Sequence, residues 1–241
     1  MIEELIAEAI SRIEATEGRE RSRSTVAKIN FDHAVRHILI ELWKSVKTFP
    51  ASEVSINKRS GYYSENKRYR DNLLTFRQVI AAYDGLLAIG FIEVAKKGHY
   101  EKETGEGEIT RIVAKDELLE RLLELEGHPA ITVPIDLNKE TILLRDRVNG
   151  KRVLKDYPDT HITERYRDNL EKINTCFSKH WFDLEVLDSE IAELENRIKN
   201  HKTKEPVGFS KRSLVRIFSK GSFKKGGRFY RGWWQNVPRE Y

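Results

Sequence analysis

The run from Thr75 to Glu126 constrains the fold more than any other part of this chain. Thr75-Phe76-Arg77-Gln78 has the form of a capping box. In such a box the Thr hydroxyl accepts from the backbone three residues on, and the Gln side chain reaches back. Val79, Ile80, Tyr83, Leu86 and Leu87 then share one helical face. Gly90 stands where a helix ends on a left-handed residue. Residues 91–95 have strand character, a polar excursion with Gly98, Gly105 and Gly107 makes a hairpin tip, and residues 109–114 return as a second strand. Residues 115–126 close the unit as a helix through Leu118, Leu119, Leu122, Leu123 and Leu125. Helix, strand, wing, strand is the order of a winged helix-turn-helix.

The rest of the chain reads around that unit. Ile2, Leu5, Ile6, Ala9, Ile10 and Ile13 repeat at helical spacing and predict an amphipathic helix over 2–16. Residues 18–25, GRERSRST, read as a charged linker. Its arginines either touch phosphate or are simply solvated. A second helix is expected over 32–48, with Val35, Ile38, Leu39, Leu42, Trp43 and Val46 on one face. His33 and His37 lie one turn apart there, a spacing that can hold a metal, but no third ligand is evident. Residues 49–72 are polar, aromatic and basic, and long for a plain connection, so a short helix or a binding loop is expected within them. Beyond residue 129 the pattern turns to short strands. Residues 142–145 and 152–155 flank Asn149-Gly150, a hairpin signal. Helices are expected over 161–178 and 183–199. In the latter, Leu184, Leu187, Ile191, Leu194 and Ile198 alternate 3-4-3-4. That spacing fits a helical hairpin within the chain or a dimer seam. Four segments result: 1–25, N-terminal helix and linker; 26–127, winged-helix domain; 128–201, β-hairpin and helical hairpin; 202–241, basic aromatic tail. The fold class is mainly α with small β elements.

Charge is concentrated in the last segment. From Lys202 to Tyr241 there are 11 Lys and Arg against Glu205 and Glu240 alone, a net of +9, whereas the whole chain nets +5. The bases Lys211, Arg212, Lys220, Lys224, Lys225, Arg228 and Arg231 alternate there with glycines and with Tyr230, Trp233 and Trp234. Cations bind phosphates and aromatic faces stack on bases. Glycines between cations can also form a nest of backbone N–H groups for an anion. The bland alternative is a local aromatic core with its cations merely solvated, and both are expected to hold in part. In the winged unit, Arg77 and Gln78 face outward from the candidate recognition helix, and Arg and Gln can pair with guanine and adenine in the major groove. The acidic wing, with Glu101, Glu103, Glu106 and Glu108, argues against a wing that lies on phosphate, and a protein-docking role stands as the alternative for this unit.

Other function classes find little support. The single cysteine, Cys176, excludes an intramolecular disulfide framework. No G-x-S-x-G, H-E-x-x-H, G-x-G-x-x-G or P-loop pattern occurs, no catalytic constellation is evident, and no cofactor is implied. The acidic amphipathic start is unlike a signal peptide, and no stretch approaches the ~18 apolar residues of a membrane span. A cytoplasmic protein with no membrane partner is expected.

The segment FSKGSFKKGGRFYRGWWQNVPREY resembles one found in replication-type proteins of phages and other bacterial mobile elements. LLTFRQVIAAYDGLLAIGFIEVAKKGHYEKETGEGEITRI resembles their N-terminal part. The likeness spans residues 73–115 and 140–241, and its most distinctive core is G-G-R-F-Y-x-G-W-W-Q-x-(I/V)-P. In longer relatives that core runs on into a palm-like segment with a D-(Y/F)-S motif, similar to family A polymerases. No such motif occurs among these 241 residues. The resemblance implies a protein of phage or mobile-element replication that handles DNA. The winged unit would sit on duplex and the tail on a phosphate backbone or single strand. Two alternatives stay open: a truncated nucleotidyl-transfer enzyme that grips nucleotide without its catalytic carboxylates, and a transcriptional regulator that acts as a homodimer.

Overall fold

Helix α2 (Thr25–Thr48) organises the first half of the chain because its apolar residues recur every three or four positions. Phe31, Ala34, Val35, Ile38, Leu39, Leu42, Trp43 and Val46 are all buried. Burying side chains of this size contributes roughly 1.5–3 kcal/mol each. The computed structural model describes residues 2–48, 53–65, 67–100, 107–127, 140–180 and 212–236, together with 187, 189, 190 and 193. The chain is a mixed α and β protein of two compact units, Met1–Val133 and Pro134–Tyr241. Among the described residues no helix is long and apolar enough to cross a membrane.

In the first unit, α1 (Ile2–Thr16), α4 (Phe76–Ala88) and α5 (Asp116–Glu124) pack against α2. Between α2 and α4 run β1 (Val54–Ile56), the short helix α3 (Ser60–Ser64) and a 3-10 turn, Lys67–Tyr69. After α4 come β2 (Ile92–Lys96), a two-stranded excursion of β3 (His99–Tyr100) and β4 (Gly107–Glu108), and β5 (Thr110–Ala114). The antiparallel sheet has the order β1-β5-β2, so β5 is central and brings Ile112 opposite both Val54 and Val94. Ion pairs tie α1 to α5: Arg121 bridges Glu8 at 2.5 Å, and Arg12 contacts Glu8 at 2.8 Å and Glu117 at 3.1 Å. The hydrogen bond from Arg121 holds the Glu8 carboxyl below its usual range.

The second unit is built on a four-stranded sheet of order β7-β6-β8-β9. Its strands are β6 (Ile142–Val148), β7 (Lys151–Leu154), β8 (Val215–Ser219) and β9 (Ser222–Tyr230). β6 and β8 are parallel, which requires a crossover connection, and α6 (His161–Lys179) lies within it. Asn174 fixes α6 to the start of β8: its side chain donates to the Leu214 carbonyl and accepts from the Leu214 N–H, at 3.0 and 2.8 Å. The Tyr166 ring stacks on Phe218 with centroids 5.4 Å apart. Arg167 joins α6 to Glu140 at 3.0 Å and to Asp159 at 2.8 Å. These carboxylates, Glu140 first, keep the guanidinium's pKa above its usual value.

Several sequence expectations hold and others are corrected. Gly90, at φ +75°, ends α4 in a Schellman motif, with Phe91 N–H bonded to Leu86 O and Gly90 N–H to Leu87 O. Asn149 and Gly150, at φ +50° and +77°, form the hairpin turn between β6 and β7. The capping box at Thr75 does not form. Thr75 is the extended N-cap residue of α4, yet its side chain makes no capping hydrogen bond. A capping box exists instead at Thr160, reciprocated by Thr163. Helix α2 starts at Thr25 rather than 32, so the linker is shorter than expected. Arg23 in it is structural: its side chain is 3% exposed, pairs with Glu17, and lies 3.5 Å from the Phe31 ring centre. The largest correction concerns the tail. Residues 212–236 are no appendage, since β8 is an interior strand of the second sheet and β9 is its edge. The heptad-like seam of 183–199 falls largely outside the described residues.

Candidate nucleic-acid interface

Charge separates the two units. Met1–Val133 carries 20 Lys and Arg against 22 Asp and Glu, a net of −2, and Pro134–Tyr241 carries 23 against 16, a net of +7. The second unit is therefore the one whose charge suits phosphate.

Most of the expected cations of that unit share the β8–β9 hairpin. Lys220 and Gly221, at φ +58° and +60°, form its tight turn. The ladder pairs Ser219 with Ser222 and then Phe218 with Gly226, so residues 223–225 stand outside it. Phe223 anchors this bulge from within, edge-on to Phe218 at 5.0 Å and to Tyr157 at 4.9 Å. With Phe223 turned inward, Lys224 and Lys225 are left exposed. Gly226 and Gly227, both at positive φ, complete the irregular stretch. Arg228 and Tyr230 follow, exposed on the edge strand. Arg231 ends the strand at φ +77°, also exposed. Among the described residues no carboxylate pairs with Lys220, Lys224, Lys225 or Arg228. At the turn the Gly221 N–H is not open to an anion, because it donates to the Arg145 carbonyl at 2.9 Å.

Three expected site residues have structural positions instead. Arg212 is 5% exposed and caps α6, donating to the carbonyls of Phe177 at 3.2 Å and His180 at 2.6 Å. Trp233 is 2% exposed and belongs to the core. Trp234 is half-buried and packs edge-on against Phe177 at 5.5 Å. Lys211 lies outside the described residues. Sequence reasoning did not single out Arg216, whose guanidinium lies 4.3 Å from the Tyr166 ring centre and donates to Gly227 O at 3.0 Å. No local signal marked it, because the alternation Val215-Arg216-Ile217 only places the base on the face opposite its apolar neighbours.

In the first unit, Arg77 is exposed on the first turn of α4 and Gln78 beside it is half-buried. Ala81 is half-buried and Asp84 exposed farther along the helix. The residues before α4 are held by aromatic contacts. Lys58 lies 3.8 Å from the Tyr83 ring centre and Arg70 3.8 Å from that of Tyr62. Tyr63 donates to Asn57 O at 2.7 Å, and burial pushes its pKa up to about 12. Of the acidic wing residues only Glu108 is described. It pairs with Lys96 at 2.7 Å, and that bond lowers its pKa. His33, considered above as a metal ligand, contacts Asp71 at 2.6 Å, and no cluster of three or more metal-ligating side chains occurs among the described residues.

Comparison with protein-family models, with curated proteins and with solved structures finds no match for this chain.

Proposed function

We propose that this chain is a DNA-binding protein whose first unit is a winged helix-turn-helix. The observation that carries the reading is the arrangement of the first unit: α2, β1, α3, α4, then β2 and β5 joined by the β3–β4 excursion, with sheet order β1-β5-β2. In that architecture α4 is the recognition helix, and Arg77 stands exposed at its N-terminal turn, where base-contacting residues of such helices lie. The second unit supplies nonspecific affinity through Lys220, Lys224, Lys225 and Arg228, whose charges have no carboxylate partner among the described residues and are open to phosphate. Tyr230 is an exposed ring beside them for a single strand, next to the exposed Phe229. A role in replication of a phage or mobile element, in the cytoplasm, is the setting that the sequence resemblance supports.

The test is selection of bound sequences from a random duplex pool by the full chain, followed by affinity measurements across a salt series. Enrichment of a motif, with affinity falling steeply as salt rises, is the expected result. Absence of binding to duplex and to single strand alike, at low salt, overturns the reading.

A further inference from the structure

The β6–β7 hairpin extends past the sheet that carries it. Residues 142–144 pair with β8, whereas residues 145–148 pair with β7. Beyond Arg145 the element is a two-stranded ribbon, and every residue from 147 to 153 is exposed. Residues 145–155 hold five Lys and Arg and one acid, Asp146, which faces Lys155 at 3.7 Å. Arg147 and Arg152 are direct cross-strand partners. Neither makes an ion pair among the described residues. Like charges placed opposite each other destabilise a hairpin. The Asn149-Gly150 turn fixes the register by itself, so the fold does not need this pair.

We propose that this ribbon is a second nucleic-acid contact, seated in a groove of duplex DNA with Arg147 and Arg152 on its phosphates. The inference rests on the DNA-binding reading of the chain. It adds an element in the second unit that neither the recognition helix nor the β8–β9 hairpin supplies. A major groove about 12 Å wide admits a two-stranded β-ribbon. A groove has two walls, and this ribbon is exposed on both faces: Arg147 and Arg152 on one, Val148 and Lys151 on the other. The apolar Val148 can meet a thymine methyl. The tip, Asn149-Gly150, carries no apolar anchor, which disfavours a lipid surface. The ribbon also adjoins the β8–β9 turn, where Gly221 N–H bonds to Arg145 O at 2.9 Å. Lys220 therefore continues the ribbon's cationic surface. The like-charge cost of the free hairpin is offset when phosphates lie against both guanidinium groups.

The experiment compares the full chain with its Arg147→Gln/Arg152→Gln variant, by fluorescence anisotropy on a short mixed-sequence duplex over a salt series. Two lost phosphate contacts lower the slope of log affinity against log salt by about 1.8 and weaken binding roughly 10- to 100-fold at ~0.1 M salt. The variant's melting temperature stays level or rises, because cross-strand repulsion is relieved. A weakened variant with an unchanged or higher melting temperature supports the proposal. Parent-like affinity and slope overturn it while leaving the DNA-binding reading intact. A parent that binds no duplex overturns both. An Arg77→Ala/Lys224→Gln/Lys225→Gln variant separates the two ideas further: if it binds like the parent while the ribbon variant does not, the ribbon stands and the sites assigned to α4 and the bulge fall. Ribbon-dependent binding to phosphatidylserine vesicles but not to duplex overturns the proposal.

Discussion

Gly232 stands against the indole of Trp234: a Cβ at position 232 would lie 2.3 Å from the ring's Cζ2. The ring cannot yield freely, because it is set edge-on against Phe177 and against Trp233. Gly232→Ala should therefore displace the indole and lower stability by about 1–3 kcal/mol, the usual cost of overpacking. Trp233→Ala should cost more, about 3–5 kcal/mol, since it empties a core position. Chemical denaturation followed by tryptophan emission reads both. An alanine at 232 with parental midpoint and emission would contradict the packing described here.

Tyr230, rather than either tryptophan, is the expected stacking ring. It is 40% exposed at the end of the edge strand, whereas Trp233 is closed in and Trp234 half so. Tyr230→Ala should keep the parent's melting temperature and lose about 1–3 kcal/mol of affinity for oligothymidine. If the loss appears in Trp234→Ala instead, with no change in melting, the half-buried indole turns outward to bind.

Arg212 and the bulge lysines should respond in opposite ways. Arg212 bonds two carbonyls at the C-terminal end of α6, where a cation also opposes the helix dipole. Hydrogen bonds from charged groups contribute about 1.5–3 kcal/mol, so Arg212→Ala should melt early. Lys224→Gln/Lys225→Gln should leave melting unchanged and flatten the salt dependence of duplex binding by up to about 1.8. A binding loss in Arg212→Ala at temperatures where it is fully folded would return that residue to the interface.

Local signals in the sequence carried most of the first unit. The apolar periodicity of α1, α2 and α4 and the stop at Gly90 all depend on neighbours within a few residues, as does the Asn149-Gly150 turn of the second unit. The Thr75 expectation failed although the residue types were right, because a cap needs a side-chain rotamer that sequence does not specify. The tail was misread for a different reason. Ile217 and Phe218 are buried in a strand that pairs with β6, some seventy residues away, and a parallel pairing across a crossover leaves no short-range mark. In the same stretch the charge run concealed two bases with structural contacts, the buried Arg212 and the half-buried Arg216. Deleting residues 202–241 would consequently remove β8 and β9 along with the charge, so the electrostatic question requires point substitutions.

Tyr63 makes stability depend on alkaline pH. Its folded pKa is raised by burial to about 12 from an ordinary 10.0. Above the ordinary value the unfolded chain loses the phenolic proton while the folded chain retains it, so the unfolded state binds fewer protons and stability falls as pH rises. The contribution is intact below pH 10 and is lost between about 10 and 12. Tyr63 is only half-buried, so solvent reduces the size of the effect but not its sign. Tyr63→Phe should melt somewhat earlier at neutral pH, having lost the bond to Asn57 O, and should show a shallower decline of melting temperature from pH 9 to 11. Parallel declines in the two proteins would remove Tyr63 as the cause.

Helix α4, the proposed recognition helix, gives the sharpest test of specificity. Arg77 is exposed and Gln78 half-buried on the first turn of α4, and neither residue closes a capping box with Thr75. Substituting them should thus leave the helix N-terminus as stable as before, which separates binding from folding. Arg77→Ala should relax preference at one base pair by about 1–3 kcal/mol, with guanine the base expected there. Gln78→Ala should have a smaller effect, since part of its side chain is covered. Selection profiles of the parent and both variants, taken with their melting curves, read the outcome. If all three profiles coincide and the parent still binds duplex, the first unit docks something other than a base sequence, and the affinity of the chain resides in the cations of its second unit.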